Sequence, residues 1–275
     1  MIRITKYNFV YIYMYGGLAQ LARALALHAR GHRFDSDILH NIRDRMNKIK
    51  WSGYDWLPQE RWGQVHPTKP KAWYDETAIE TNYCALLGCE QLILKTHKNP
   101  KYFTNLDIEV PIGVGLISCT KKLGYGHYEI EAKLPSGPNL WPAFWVWAFE
   151  SWPPEIDIIE GYSNNRGSYF NWNIDAIKGN FWKVQTNVHL GEIPENYSIG
   201  AKNHWLGWKS PDKTFNKYSL FWDEKEISVF FNNNLVRRIT DESVLEQVRG
   251  KKMNVIINNM VTSDVDSNNP PNSEF

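Results

Sequence analysis

Three cysteines in 275 residues, Cys84, Cys89 and Cys119, have no metal-ligand spacing, and their odd number builds no disulfide framework. Cys84 and Cys89 could pair across a short turn; two buried thiols are the plainer expectation. No apolar run is long enough to cross a bilayer. Lys and Arg number 31 against 30 Asp and Glu, a formal net charge of +1, which supplies no field for nucleic acid or another polyanion. Repeats, linkers and a second domain are also missing. What is present is enough chain for one large core and many rings: 13 Trp, 14 Tyr and 12 Phe. Aromatics favour strands. An indole face also covers the apolar side of a sugar ring while its edge stays polar.

One short stretch, Glu155-Ile156-Asp157-Ile158-Ile159-Glu160, organises the rest. Side chains of a strand alternate between faces, so Glu155 and Asp157 share a face and Ile156 and Ile158 take the other. Strict alternation would send Glu160 to the apolar side. A β-bulge at Ile158-Ile159 adds one residue and returns Glu160 to the other acids. Three like charges so close repel, and at least one proton should remain near neutrality. Glycoside hydrolysis with retention needs that pairing: an ionised carboxylate as nucleophile and a protonated carboxyl as acid. The spacing alone is a weak signal, since E-x-D-x-x-E arises by chance in roughly one chain of this size in twenty. The plain alternative is an exposed acidic strand.

The surroundings sharpen it. Upstream lie Tyr125-Gly126-His127-Tyr128-Glu129-Ile130-Glu131-Ala132-Lys133 and Leu140-Trp141-Pro142-Ala143-Phe144-Trp145-Val146-Trp147, and Trp152-Pro153-Pro154 leads into the acids. This order resembles the family 16 glycoside hydrolases, the laminarinase, agarase and κ-carrageenase relatives, whose pattern is Y-G-x-x-E-x-x-x-K, W-P-A-F-W, then E-[IL]-D-x-x-E. The resemblance runs from about Trp51 onwards and is densest from Gly124 to Tyr162. It implies an all-β fold, a concanavalin-like β-jelly roll sandwich of two antiparallel sheets with a concave substrate cleft. It also implies Glu155 as nucleophile, Asp157 as the group that tunes its neighbours and Glu160 as acid/base. A secreted enzyme is implied, although a leader reads poorly. No cofactor is called for; the family resemblance suggests a structural Ca²⁺ away from the cleft, without naming ligands.

Residues 1–50 read differently and are expected to be poorly structured and functionally silent. Leu18 to Arg30 is Ala/Leu/Arg-rich with helical spacing; a basic membrane-surface helix is the sharper reading of it. Gly17 to Leu25 resembles peptides that arise when a transfer-RNA gene is translated by mistake, which would put the natural start downstream, at Met46. The glycoside hydrolase domain is expected over 51–275. Trp51 to Trp56 and Trp62 to Pro67 are aromatic and turn-rich and read as a loop walling a cleft. Ile79 to Asn82, Gln91 to Thr96, Gly113 to Cys119 and Gly126 to Lys133 read as strands.

In Trp141 to Trp147, Trp141, Ala143, Trp145 and Trp147 share one parity. By parity alone they are equally core or a sugar-stacking floor. The resemblance favours Trp141 and Trp145 as substrate contacts. In Val184 to Leu190, Gln185, Asn187 and His189 share a face suited to sugar hydroxyls, and the resemblance places a His beside the acid/base residue, here His189. Asn196-Tyr197-Ser198 is a glycosylation sequon. Three strands follow, with a hairpin turn at Asn232-Asn233-Asn234, then a short helix capped by Thr240 or Asp241 and a strand from Lys252 to Asn259. The resemblance implies one more strand after Ser273-Glu274-Phe275 than the sequence holds.

The expected protein is thus a monomeric retaining endo-β-glycosidase that acts on a polysaccharide and binds neither nucleic acid nor membrane. Without a Lys/Arg cluster to mark a sulfate subsite, a neutral β-glucan such as laminarin, or a galactan, is favoured. A transglycosylase with the same acids, a non-catalytic carbohydrate-binding protein of the same fold and a capsid-type jelly roll are the competing readings.

Overall fold

Period-two alternation sets the architecture. In the computed structural model of the protein, residues 2–3, 48–66, 71–84, 88–135, 139–148, 152–161, 183–192, 195–200, 202–205, 211–262, 265–266 and 273–274 are described. The first strands are β1 (Ile2–Arg3), β2 (Ile49–Trp51), β3 (Tyr54–Leu57), β4 (Ala72–Tyr74), β5 (Ile79–Cys84), β6 (Cys89–Phe103), β7 (Ile108–Val114) and β8 (Leu116–Cys119). The middle of the chain gives β9 (Gly126–Ala132), β10 (Leu140–Ala148), β11 (Glu155–Glu160), β12 (Lys183–Leu190), β13 (Tyr197–Ser198) and β14 (Lys202–Trp205). Then come β15 (Asn216–Trp222), β16 (Ile227–Phe231), β17 (Asn234–Ile239), helix α1 (Glu242–Val248), β18 (Met253–Val261) and β19 (Ser273–Glu274).

These strands form two sheets. One runs β17-β16-β15-β9-β1-β6-β7-β4, with β5 and β19 also on β6. The other runs β13-β12-β11-β10-β18-β8-β3-β2, with β14 on β12. Apart from the parallel pair β4–β7, the pairings are antiparallel. Across the second sheet, Phe144 stands opposite Ile159 and Ile257, Val146 opposite Ile156 and Val255, and Ile156 opposite Val188. All are buried in a single cluster with Tyr128, Ile130, Tyr218, Leu220 and Trp222 of the first sheet. Each such side chain contributes roughly 1.5–3 kcal/mol through burial. This core fixes which face of the second sheet is left for polar groups.

Three local features differ from the sequence reading. Trp51 to Trp56, read as loop, is a β2–β3 hairpin turning at Ser52 (φ 51°) and Gly53 (φ 79°). Gly113 to Cys119, read as one strand, is two. At Gly115 the chain passes from the first sheet to the second, and a Cβ there would meet the Ala78 carbonyl oxygen at 2.7 Å. From the segment 1–50, Ile2–Arg3 lies between β6 and β9, and Ile49–Lys50 joins β3; residues 4–47, with the helical pattern from Leu18 to Arg30, lie outside the described residues. Two local readings agree with the structure. The β16–β17 hairpin turns at Asn232 (φ 49°) and Asn233 (φ 65°), and Asp241 caps α1 by accepting from the Ser243 backbone N–H at 2.9 Å.

Cys89 is a half-buried free thiol opposite Cys84 in the β5–β6 hairpin. The Cys119 thiol is free and buried, and burial pushes its pKa up to about 12.

Candidate active site

The acids lie on β11, between β10 and β12. Trp147 pairs with Glu155, Trp145 with Asp157, Phe144 with Ile159 and Ala143 with Glu160. The register shifts between Phe144 and Trp145, so Ile158 is the extra residue of a bulge. Residues directly opposite in an antiparallel pair share a face. Glu155, Asp157 and Glu160 therefore share the face of Trp147, Trp145 and Ala143, as the acid spacing predicts. On the other side, Glu155 pairs with His189 and Asp157 with Asn187. Gln185, two residues further along β12, keeps that parity and is buried.

The acids are not a solvated strand. Glu155 and Asp157 are 0% exposed and Glu160 5%. The Trp152 indole N–H donates to Glu155 Oε2 at 2.7 Å. His189 Nε2 lies 3.6 Å from Glu155 Oε1 and 3.5 Å from Asp157 Oδ2, too far for good hydrogen bonds. Asn187 Nδ2 is 3.3 Å from Glu160 Oε2 and 3.1 Å from His189 Nε2. Burial raises the Glu155 pKa well above the ordinary carboxylate value, and the charges of Asp157 and Glu160 add to it. Burial likewise raises Asp157, against the lowering influence of Glu155 and of the Arg237 guanidinium. Each carboxyl is thus pushed toward its protonated form, and the two titrate as a pair.

This arrangement sits within a recognised family. Residues 82–273 match the profile described as glycosyl hydrolases family 16. The chain belongs to that family.

Among curated relatives, an endo-1,3-1,4-β-glycanase of Rhizobium meliloti, EglC, is 25% identical over 143 residues, 52% of this chain and 27% of its own. A β-glucanase of Rhodothermus marinus is 28% identical over 217 residues, 72% of this chain and 68% of its own. The chain thus spans about a quarter of EglC and about two thirds of the Rhodothermus enzyme. Among solved structures, the catalytic domain of an endo-1,3-β-glucanase (laminarinase) from Thermotoga petrophila superposes with a TM-score of 0.60 at 17% identity, covering 83% of this chain and 90% of that one. A family 16 enzyme of Bacteroides ovatus, from a mixed-linkage glucan locus, gives 0.60 at 20% identity, with 83% and 95% covered. Both share the jelly-roll fold.

Around the acids lie Trp141 and Trp145, which the sequence named as candidates, and Arg61, Asn258 and Arg237, which it did not. Trp147, opposite Glu155, is buried beneath the Arg61 guanidinium, which lies 4.1 Å from its ring centroid. Trp145 is 1% exposed, and its indole donates to Asn258 Oδ1 at 2.9 Å. Trp141, at the far end of β10, is half-buried. Trp152 also walls a cavity of about 590 Å³ at the start of β11, together with Pro154, Gly191 and Gln247; it thus stands between that cavity and Glu155. Arg237, from the opposite sheet, is buried and donates to Thr186 O at 3.1 Å behind the acids. For a metal, the one cluster of three ligating side chains among the described residues is Glu155, Asp157 and His189. Its imidazole does not suit calcium, which takes six to eight oxygens.

Proposed function

We propose that the protein is a retaining endo-β-glycosidase of β-glucans, with Glu155 as nucleophile and Glu160 as acid/base. The observation that carries this reading is the bulge at Ile158, which sets three buried carboxyls on one face, two of them with raised pKa values. The Trp152 N–H favours charge on Glu155, the form a nucleophile needs. Glu155 attacks the anomeric carbon and forms a glycosyl ester, while Glu160 gives its proton to the departing glycosidic oxygen. Water then attacks the same carbon, Glu160 takes its proton and the ester breaks. Net retention follows from two inversions.

The β-glucan preference rests on the relatives, named as glycanases and glucanases of 1,3- and 1,3-1,4-linked β-glucans. Half-buried Trp141 suits a sugar-stacking contact. Gln185 and Asn187, being buried, have less direct access than the sequence suggested. Purified protein should release oligosaccharides from laminarin or mixed-linkage glucan rather than from agarose or carrageenan. Proton NMR of the first product should show the β-anomer, and Glu155→Ala should abolish release while the protein stays folded by circular dichroism. An α-configured first product would exclude this assignment.

A further inference from the structure

We propose that Asn187, locked by Ser198, is a positioning residue that fixes the tautomer of His189 and the orientation of the Glu160 carboxyl. The proposal rests on the reading of Glu160 as acid/base. Asn187 sits on β12 opposite Asp157 and is 6% exposed. Its Oδ1 accepts from the Val188 backbone N–H at 2.9 Å and from Ser198 Oγ at 2.5 Å. A backbone N–H can only donate, so the carbonyl end of the amide must face it. The two ends of an Asn amide are otherwise interchangeable by shape; here the strand itself distinguishes them.

The amino end is thereby aimed at the acids. It carries two hydrogens and offers no acceptor. One lies toward His189 Nε2 at 3.1 Å and the other toward Glu160 Oε2 at 3.3 Å. Facing a donor, Nε2 must accept, which makes His189 a neutral imidazole with its proton on Nδ1. An imidazolium would set N–H against N–H. The Glu160 oxygen that faces a donor is likewise the carbonyl-type oxygen, so the transferable proton rides on Oε1. Among the described residues, the charged groups around this imidazole are Glu155 and Asp157 on β11, with Glu160 beyond Asn187 and Arg237 behind the sheet. A neutral His189 adds no positive charge beside those carboxyls. Asn187 thus prevents the histidine from quenching the acid set.

Ser198 is the outer part of the device. It lies on the edge strand β13, whose Ser198 pairs with His189, and in sequence it is simply the third residue of a glycosylation sequon.

Nitrogen-15 NMR of the histidine rings reads the tautomer without turnover. In the wild type, the His189 signals between about pH 6 and 8 should be those of a protonated Nδ1 and a bare Nε2. Asn187→Asp replaces the donor by a second acceptor. His189 should then carry both protons, and the alkaline limb of the kcat/KM profile should move by about one pH unit. Ser198→Ala should lower kcat several-fold with KM held, and Ser198→Thr should restore it. A proton on Nε2 in the wild type would overturn the proposal, as would an Asn187→Asp enzyme with the wild-type ring signals and pH profile. If no glycan is hydrolysed while the Nδ1–H tautomer is found, the catalytic reading fails and the clamp on His189 stands.

Discussion

Glu155 and Asp157 carry opposed demands, because the burial that equips them for chemistry works against their ionisation. Both folded-state pKa values lie above the unfolded ones. Their contribution to stability is therefore full below the ordinary carboxylate range and drains away as pH rises through the folded values. Asp157→Asn removes the titration while keeping the shape. It should raise the melting temperature relative to wild type by a margin that widens from about pH 5 to pH 8, and should lower kcat by about 10²-fold or more. Calorimetry across that range, beside kinetics, checks it; a margin flat with pH would mean that the pair is not strained. The tryptophans divide in the same way. Trp145→Ala opens a cavity and strands Asn258, costing about 3–5 kcal/mol in denaturant unfolding. Trp141→Ala, at a half-buried position, should cost far less stability and instead raise KM for long glucans.

At the scale of the element, β11 works because it breaks its own alternation. Deleting Ile158 removes the bulge and leaves Glu-Ile-Asp-Ile-Glu, in which strict period two keeps Glu160 on the face of Glu155 and Asp157. The purified deletion variant should therefore keep measurable hydrolysis; complete loss in a folded variant would show that the bulge itself sets the separation of Glu155 and Glu160. This bulge was legible because carboxylates spaced two and then three apart cannot otherwise share a face. The Asn232-Asn233 turn was legible too, since asparagine tolerates the positive φ a tight hairpin requires. The β2–β3 hairpin was not, because Trp51 to Trp56 has no clean alternation and its pairing is decided by the sheet edge it joins. The break at Gly115 was hidden inside a continuous apolar run. Asn258 and Arg237 were missed for a related reason, and Trp147 and Trp152 were named without their partners. Their importance lies in register between distant segments, and local pattern carries no register.

At the scale of the molecule, three places among the described residues join the two sheets close to the acids or to the chain's crossing. Thr96 Oγ1 donates to Asn259 O at 2.6 Å, and Asn259 Nδ2 donates to Leu94 O at 3.1 Å, which joins β6 to β18. Gly115 stands at the chain's passage between the sheets. Its missing Cβ is what lets the backbones approach, for a Cβ would also meet Leu94 Cα at 2.9 Å. Gly115→Ala should therefore destabilise by about 1–3 kcal/mol, seen as a lower denaturant midpoint with little change in KM, since nothing in it touches the acid face. Arg237 is the third coupling. It originates on β17, threads the core and reaches the backbone of β12, and its charge favours ionisation of Asp157. The acid set is thus wired to the back of the molecule. A laboratory evolution campaign for an altered pH optimum should accordingly return hits at and around position 237, on the sheet without the acids, where a search confined to the binding face would never look.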